Sequence, residues 1–323
     1  MAVNTEKESA GSAGETWTTR RLIRWIDGHL GGKGIDAPRV CAEMLVGHVL
    51  GAERMQLYME ADRPASAAEL ERLRALVVRA ARHEPVQYLV GEAWFWSKRF
   101  AVGPATLIPR PATEHVVEEC VAAARAAVAG GANPVRILEI GTGTGCISTC
   151  IAAALRGQRR GTEPGEGAAP PPVDVRIVAT DIVPAALELA RTNAAAHRVA
   201  EFIDFRAGSV YAPLTAAERG GFHILVSNPP YVRDDEWEEM EPNVREHEPR
   251  SALAGGKLGM DVIAPLVASA HEWLLPGGRL VVEIGHRQRD DALAAAQANA
   301  ALVDAEVRKD FEEFWRVLVA TRR

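Results

Sequence analysis

The apolar positions along this chain change their period between the first quarter and the remainder. Over residues 16–84 they recur at helical spacing. A first helix carries Leu22, Ile23, Trp25, Ile26 and Leu30, opened by Thr18 or Thr19 as a cap and closed at Gly31-Gly32. Asp36-Ala37-Pro38 opens a second helix carrying Val40, Met44, Leu45, His48 and Val49, which stops near Gly51. A third, short helix is predicted over 54–60. Ser66 and Glu69 form a capping box for a fourth, with Leu70, Leu73, Leu76, Val77 and Ala80 on its buried side. The pattern predicts a small helical bundle over 16–84 without a catalytic constellation. Residues 1–15 are polar, lack an apolar core and read as a disordered N-terminus rather than a presequence.

Residues 85–111 are aromatic-rich, with Tyr88, Trp94, Phe95, Trp96 and Phe100. They predict a β-hairpin linker whose tryptophans form a hydrophobic seam between domains. The stretch ends in Leu107-Ile108-Pro109-Arg110-Pro111, after which Thr113 is expected to cap a helix over 114–129. Arg110, held between two prolines, is placed to meet a carboxylate or to position a loop.

From residue 112 to 323, short buried runs alternate with helical stretches. Strands are predicted over 135–140, 175–181, 202–205, 222–227 and 280–284. Helices are expected over 146–155, 185–196, 259–275 and 290–300, the third broken by Pro276-Gly277-Gly278. A final antiparallel pair is expected at 305–309 and 315–321. Alternation of this kind specifies an α/β domain.

Two stretches carry chemistry. Val135–Ile140 runs into Gly141-Thr142-Gly143-Thr144-Gly145 and then a helix. Strand, glycine turn and helix make a nucleotide-type site, with free amides and a positive dipole end at the helix start. The spacing is Gly-x-Gly-x-Gly rather than the Gly-x-Gly-x-x-Gly of the dinucleotide fingerprint, which suits a ligand without a pyrophosphate, such as S-adenosylmethionine. Glu139 can meet the ligand amine or end the strand in solvent. An acid on ribose hydroxyls is expected about 20 residues further on. Asp181 comes 40 later, and the Gly/Pro-rich stretch 157–172, read as a flexible insert, accounts for the excess. Residues near Ser209-Val210-Tyr211 can flank an adenine ring. The second stretch is Asn228-Pro229-Pro230-Tyr231, which ends the strand over 222–227. Two prolines terminate the ladder and hold Asn228 in a stiff polar corner at the carboxyl end of a strand. Alone, that corner is a turn. Beside a glycine turn it is a candidate site.

Bulk properties narrow the classes. The chain has 323 residues, 47% hydrophobic and 25% charged, ordinary for a soluble protein of about two domains. The net charge of −6 argues against a broad grip on nucleic acid. No apolar run is long enough for a membrane span. Cys41, Cys120, Cys146 and Cys150 lack metal-ligand spacing and read as small buried thiols in a reducing, cytoplasmic setting. No metal is expected. The acidic segment after Tyr231, residues 234–248, is equally readable as a solvated loop or as a lid that meets a partner.

Taken together, the chain over 17–323 resembles the HemK/PrmC family of release-factor glutamine N5-methyltransferases. The pieces that carry the resemblance are Tyr88-Leu89-Val90-Gly91-Glu92, the Leu107-Ile108-Pro109-Arg110-Pro111 segment with Thr113-Glu114, and Glu139 with its glycine turn. Asp181, Asn228-Pro229-Pro230-Tyr231, Val244-Arg245, Glu248-Pro249 and Ala252-Leu253 complete the set. Two positions depart from it: Ala112 stands where an acidic residue is usual, and Val210 where an aromatic one often stands. The resemblance implies a class I S-adenosylmethionine-dependent methyltransferase, a Rossmann-like seven-stranded sheet over 112–323, behind an N-terminal helical domain that recognises substrate. It implies that Gly141, Thr142, Gly143, Thr144, Gly145, Asp181, Val210 and Asn228 hold the donor. Asn228, Pro229, Pro230 and Tyr231 would hold the substrate, with Asn228, Pro229 and Tyr231 catalytic. The implied substrate is a glutamine of a Gly-Gly-Gln motif in a peptide chain release factor, modified by a monomer that needs neither nucleic acid nor membrane. Alternatives are a ribosomal-protein glutamine methyltransferase and an adenine-N6 DNA methyltransferase. A non-catalytic donor-binding scaffold is a third, but it predicts loss of the glycines or of the Asn-Pro-Pro-Tyr corner, and both are intact.

Overall fold

The computed structural model describes residues 16–157 and 172–323. The expectations for 1–15 and for the 157–172 insert lie outside the described residues, apart from Gly157 and Pro172. The chain divides into two compact units between Val90 and Gly91.

The first unit is helical: α1 (Thr19–Gly31), α2 (Pro38–Leu50), α3 (Arg54–Met59), α4 (Ala67–Ala80) and α5 (Val86–Val90). Thr18 is the cap of α1, its side chain accepting from the Arg21 amide, and Ser66 and Glu69 close the expected box on α4. Leu22, Ile26, Leu30, Leu45, Val46, Leu57, Leu73 and Val77 form the core, with Val86 and Leu89 against it. The stretch at 86–90 is therefore a helical turn, not the start of a hairpin. Its aliphatic residues are drawn into a helical core, and tertiary packing overrides their strand preference.

In the second unit the hairpin is β1 (Glu92–Phe95) and β2 (Lys98–Ala101). It is built into this unit rather than serving as a separate linker. Phe95, Trp96 and Phe100 are buried with Cys120, Ala124 and Cys150 in one apolar cluster. Asn193 fastens it, accepting from the Ala101 amide at 2.8 Å and donating to the Ala101 carbonyl at 3.0 Å. Trp94 points outward, 59% exposed, so it takes no part in a buried seam.

There follow α6 (Glu114–Ala129), β3 (Val135–Ile140), α7 (Cys146–Leu155), β4 (Val175–Asp181), α8 (Pro184–Ala196), β5 (Ile203–Ala207), β6 (Phe222–Ser227), β7 (Val232–Arg233) and α9 (Pro242–His247). The chain ends with β8 (Ala254–Gly256), α10 (Ile263–Ser269), β9 (Leu274–Glu283), α11 (Arg289–Ala298), β10 (Leu302–Lys309) and β11 (Trp315–Arg322). The seven-stranded sheet has the order β10-β11-β9-β6-β3-β4-β5, with β11 antiparallel to both neighbours. This is the class I methyltransferase sheet with its reversed strand near one edge. Central strands such as β3 and β6 are buried along almost their whole length, as a sheet covered on both faces requires. Every residue of α7 is buried, which explains why its sequence is apolar or small all round.

Two predicted elements differ. The helix over 259–275 is confined to α10 and a following single turn at 270–272, and Pro276-Gly277-Gly278 lies inside β9. A register irregularity between Phe222 and Ile224 against β9 accommodates the proline and glycines there. Among the described residues no helix is long and apolar enough to cross a membrane.

Phe222 is fully buried at the start of β6. Phe222→Ala should lower unfolding stability by about 3–5 kcal/mol in a denaturant titration.

Candidate active site

Strand order reverses at β3. β4 and β5 build outward on one side of it, and β6 and β9 on the other. Ligands of open α/β sheets sit at that switch point, beyond the carboxyl ends of the strands. Here Ile140 pairs with Ser227, and the Ser227 hydroxyl donates to the Ile140 carbonyl at 2.8 Å. The glycine turn and the Asn-Pro-Pro corner therefore start side by side. One cleft takes its walls from both: Gly141, Thr142, Gly143 and Thr144 on one strand's end, and Asn228, Pro229 and Pro230 on the other. Asp181, Ile182 and Val183 line it after β4, and Gly208, Ser209 and Val210 after β5.

Gly141, Gly143 and Gly145 have φ of 74°, 54° and 74°, a left-handed backbone that costs other residues strain. Gly145 opens α7, and a Cβ there would lie 2.9 Å from the Ala190 Cβ on α8. Asp181 is bound into this turn. It accepts from the Gly143 amide at 2.8 Å and from the Val183 amide at 2.9 Å. Each carboxylate oxygen keeps a second lone pair for a ligand hydroxyl. Glu139 is not a solvent-facing strand end. It is fully buried beneath the turn and accepts from the Thr142 hydroxyl at 2.7 Å, while among the described residues its Oε1 has no hydrogen-bond partner. Burial pushes its carboxyl up to about 7, against the hydrogen bonds that favour the charge.

Val210 lines the cleft with φ of 46°, unusual for a β-branched residue. Tyr211 turns away. Its hydroxyl donates to the Leu266 carbonyl at 2.7 Å and its ring stacks on Trp273. The cleft-facing residue of this pair is thus the valine.

Asn228 donates through Nδ2 to the Thr113 hydroxyl at 3.2 Å. Thr113 is not the side-chain cap of α6. It sits in the turn of Pro111–Thr113 and faces this site instead. Tyr231 is not on the cleft wall. Its hydroxyl donates to Glu283 Oε1 at 3.3 Å, and Gln288 Nε2 donates to its carbonyl at 2.6 Å. Gly259 lets the chain pass over this corner, since a Cβ there would lie 2.2 Å from the Tyr231 carbonyl oxygen. Burial lifts the Glu283 carboxyl above its usual range; hydrogen bonds from Thr113 and Tyr231 and the nearby Arg316 and Arg110 oppose that rise.

Arg110 meets a carboxylate, as its position between prolines suggested. It pairs with Glu248, which also accepts from the Ile108 amide at 3.0 Å. Glu248 is 5% exposed, so the segment after Tyr231 is anchored at its far end. Within that segment α9 covers Pro242–His247. Arg245 pairs with Glu238, and β7 pairs with β8.

Sequence reasoning missed Ile182, Thr113, Glu248 and Glu283 as site residues. Ile182 offered one signal, an apolar residue immediately after the strand-end acid; it is 57% exposed at the cleft. The other three act through contacts more than 50 residues distant in sequence.

Residues 21–91 match the family described as PrmC N-terminal domain, and residues 123–241 match the RMKL-like methyltransferase domain. A release factor glutamine methyltransferase of Chlorobaculum tepidum is 35% identical over 306 residues, covering 94% of this chain and 97% of that protein. The protein of the same name from Geobacter sulfurreducens is 37% identical over 281 residues, covering 86% and 88%. Among solved structures, a ribosomal protein L11 methylase from Lactobacillus delbrueckii subsp. bulgaricus aligns with a TM-score of 0.43 at 16% identity, covering 69% of this chain and 84% of that one.

The Glu139 carboxyl yields a pH prediction for the ligand-free protein. Its folded value lies above the ordinary 4.5, so its contribution to stability is complete below about 4.5 and is lost as pH rises through about 7. Glu139→Gln should therefore stabilise the fold at pH 8, by on the order of 3 kcal/mol, and little at pH 4. Melting temperatures of both proteins across that range check the sign.

Proposed function

The chain belongs to the release factor glutamine methyltransferase family, and on that premise we infer that Asn228 and Pro229 hold the acceptor glutamine beside the methyl donor. The enzyme is a protein-glutamine N5-methyltransferase that uses S-adenosylmethionine and acts on peptide chain release factors. The observation that carries the site assignment is the shared cleft: Gly141 and Asn228 follow paired residues on adjacent strands.

The glycine turn fits the donor. Three left-handed glycines keep side chains off one wall, α7 offers free amides, and Asp181 retains acceptor capacity. In this reading Gly141, Thr142, Gly143, Thr144 and Gly145 receive the amino-acid end of the donor, and Asp181 the ribose. Val210 and Ile182 flank the adenine. The bound donor contributes an electrophilic methyl group on a sulfonium.

The chain's own residues prepare the nucleophile. A carboxamide nitrogen is weakly nucleophilic because its lone pair is delocalised into the carbonyl. With its Nδ2 already donating to Thr113, Asn228 turns Oδ1 to the substrate NH2. The Pro229 carbonyl accepts the second hydrogen, since proline, though it has no N–H, retains its acceptor. Two fixed acceptors orient the nitrogen and stabilise the positive charge that grows on it during transfer. The proton leaves after nitrogen becomes cationic, so no strong base is required. Tyr231 supports the corner from behind rather than forming the face on which the amide lies, and Pro230 completes the wall.

The helical unit carries the recognition of the protein substrate in this reading, since it matches the PrmC N-terminal family. The net charge of −6 supports a protein acceptor over a nucleic acid, and the enzyme acts as a monomer in the cytoplasm.

Asn228→Ala should lower kcat by about 100- to 1,000-fold while donor affinity, read by calorimetry, stays close to wild type. Wild-type turnover in this variant removes Asn228 from the acceptor role.

A further inference from the structure

Two phenylalanines stand in the open on one turn, between β10 and β11. Phe311 is 72% exposed and Phe314 48%. Single apolar residues on a surface need no explanation, but two aromatic rings on one tight turn do.

The turn is a built feature. Asp310, 6% exposed, sits at its base. Its Oδ1 accepts from the Glu312 and Phe314 amides, each at 3.0 Å, and its Oδ2 from Arg316 Nε at 3.1 Å. The Asp310 amide donates to the Phe314 carbonyl at 2.8 Å. The Phe311 amide donates to His115 Nε2 at 2.9 Å, with the two rings 3.8 Å apart, and the Phe314 ring stands edge-on to His286. These hydrogen bonds run through backbone, Asp310, Arg316 and His115, so the turn keeps its shape without the phenyl rings.

Its place in the sheet points to a use. Val317 of β11 lies opposite Glu283 of β9, and Val282 lies beside Ser227 of β6. The turn therefore projects past the same edge of the sheet from which Asn228 follows β6. His115, which holds the Phe311 amide, comes two residues after Thr113, and Thr113 lines the cleft. The phenylalanines thus continue the rim of the cleft on its β9 side. The acceptor of this enzyme is a side chain of another protein. Delivering that side chain to Asn228 brings the surface beside it against the rim. Aromatic residues are enriched in such protein contacts, where their burial supplies affinity.

We propose that Phe311 and Phe314 form a docking point for the release factor, covered by an apolar patch of its surface next to the acceptor glutamine. The proposal rests on the reading of Asn228 as the acceptor site. Neither ring takes part in methyl transfer; both act on how tightly the protein substrate is held.

The test uses the full chain with S-adenosylmethionine and a release factor. The double variant Phe311→Ser, Phe314→Ser should raise KM for the release factor by about 10- to 30-fold. Its kcat at saturation, its donor affinity by calorimetry and its melting temperature should stay close to wild type. Phe311→Leu with Phe314→Leu keeps apolar surface and should recover most of the lost affinity. A wild-type KM in the serine variant overturns the proposal. So does a joint fall of kcat and melting temperature at unchanged KM, which would make the rings structural. A wild-type dimer that the serine variant breaks without a change in KM also overturns it, since the occupant is then a second copy of this chain. Asn228→Ala, measured in parallel, separates the two levels. If it is inactive while the serine variant keeps wild-type KM, only the docking point falls; if it is fully active, the acceptor reading falls.

Discussion

The parallel pairing of β3 with β6 is the contact on which the rest depends. Ile140 and Ser227 face each other at the last rung, joined also by the Ser227 hydroxyl. Beyond that rung the two strands end in different turns. One is a run of left-handed glycines that clears a wall. The other is a proline corner that cannot continue the ladder and so leaves a carbonyl and an asparagine exposed to the cleft. A one-residue slip in this register would carry Asn228 to the opposite face of the sheet. The buried runs of both strands resist that slip, since every β6 residue except His223 is buried.

Around this rung the protein uses buried carboxylates as anchors. Glu283 accepts from the Tyr231 hydroxyl. Glu248 ties Arg110 and the Ile108 amide, and so joins the segment before α6 to the segment after Tyr231. Glu139 lies under the glycine turn with one oxygen unpartnered among the described residues. A buried carboxylate is costly unless hydrogen-bonded. Its retention at three places around one cleft is consistent with geometry, rather than stability, being what these residues contribute.

Much of the catalytic unit was legible in the sequence. The alternating buried runs, the glycine turn and the final antiparallel pair are local signals, and each is recovered in the sheet. The acid of β4 was found once the insert was set aside, because Asp181 still closes a strand. Local patterns misled in two places. The aliphatic run at 86–90 has strand composition but belongs to a helical core, and Pro276-Gly277-Gly278 has breaker composition but lies within β9. Propensity is a weak guide where long-range contacts decide. For the same reason Thr113 read as a helix cap and Glu283 was passed over. Their meaning lies in partners 115 and 52 residues away, at Asn228 and Tyr231.

The enzyme methylates a glutamine nitrogen of a release factor. Incubation of the enzyme with isotopically labelled S-adenosylmethionine and, separately, release factors, ribosomes and DNA tests it directly. Mass spectrometry of the products should place one methyl on a glutamine side chain of the release factor, with ribosomal proteins and DNA unlabelled. Label in DNA or in ribosomal protein, with none in the release factor, would contradict the account.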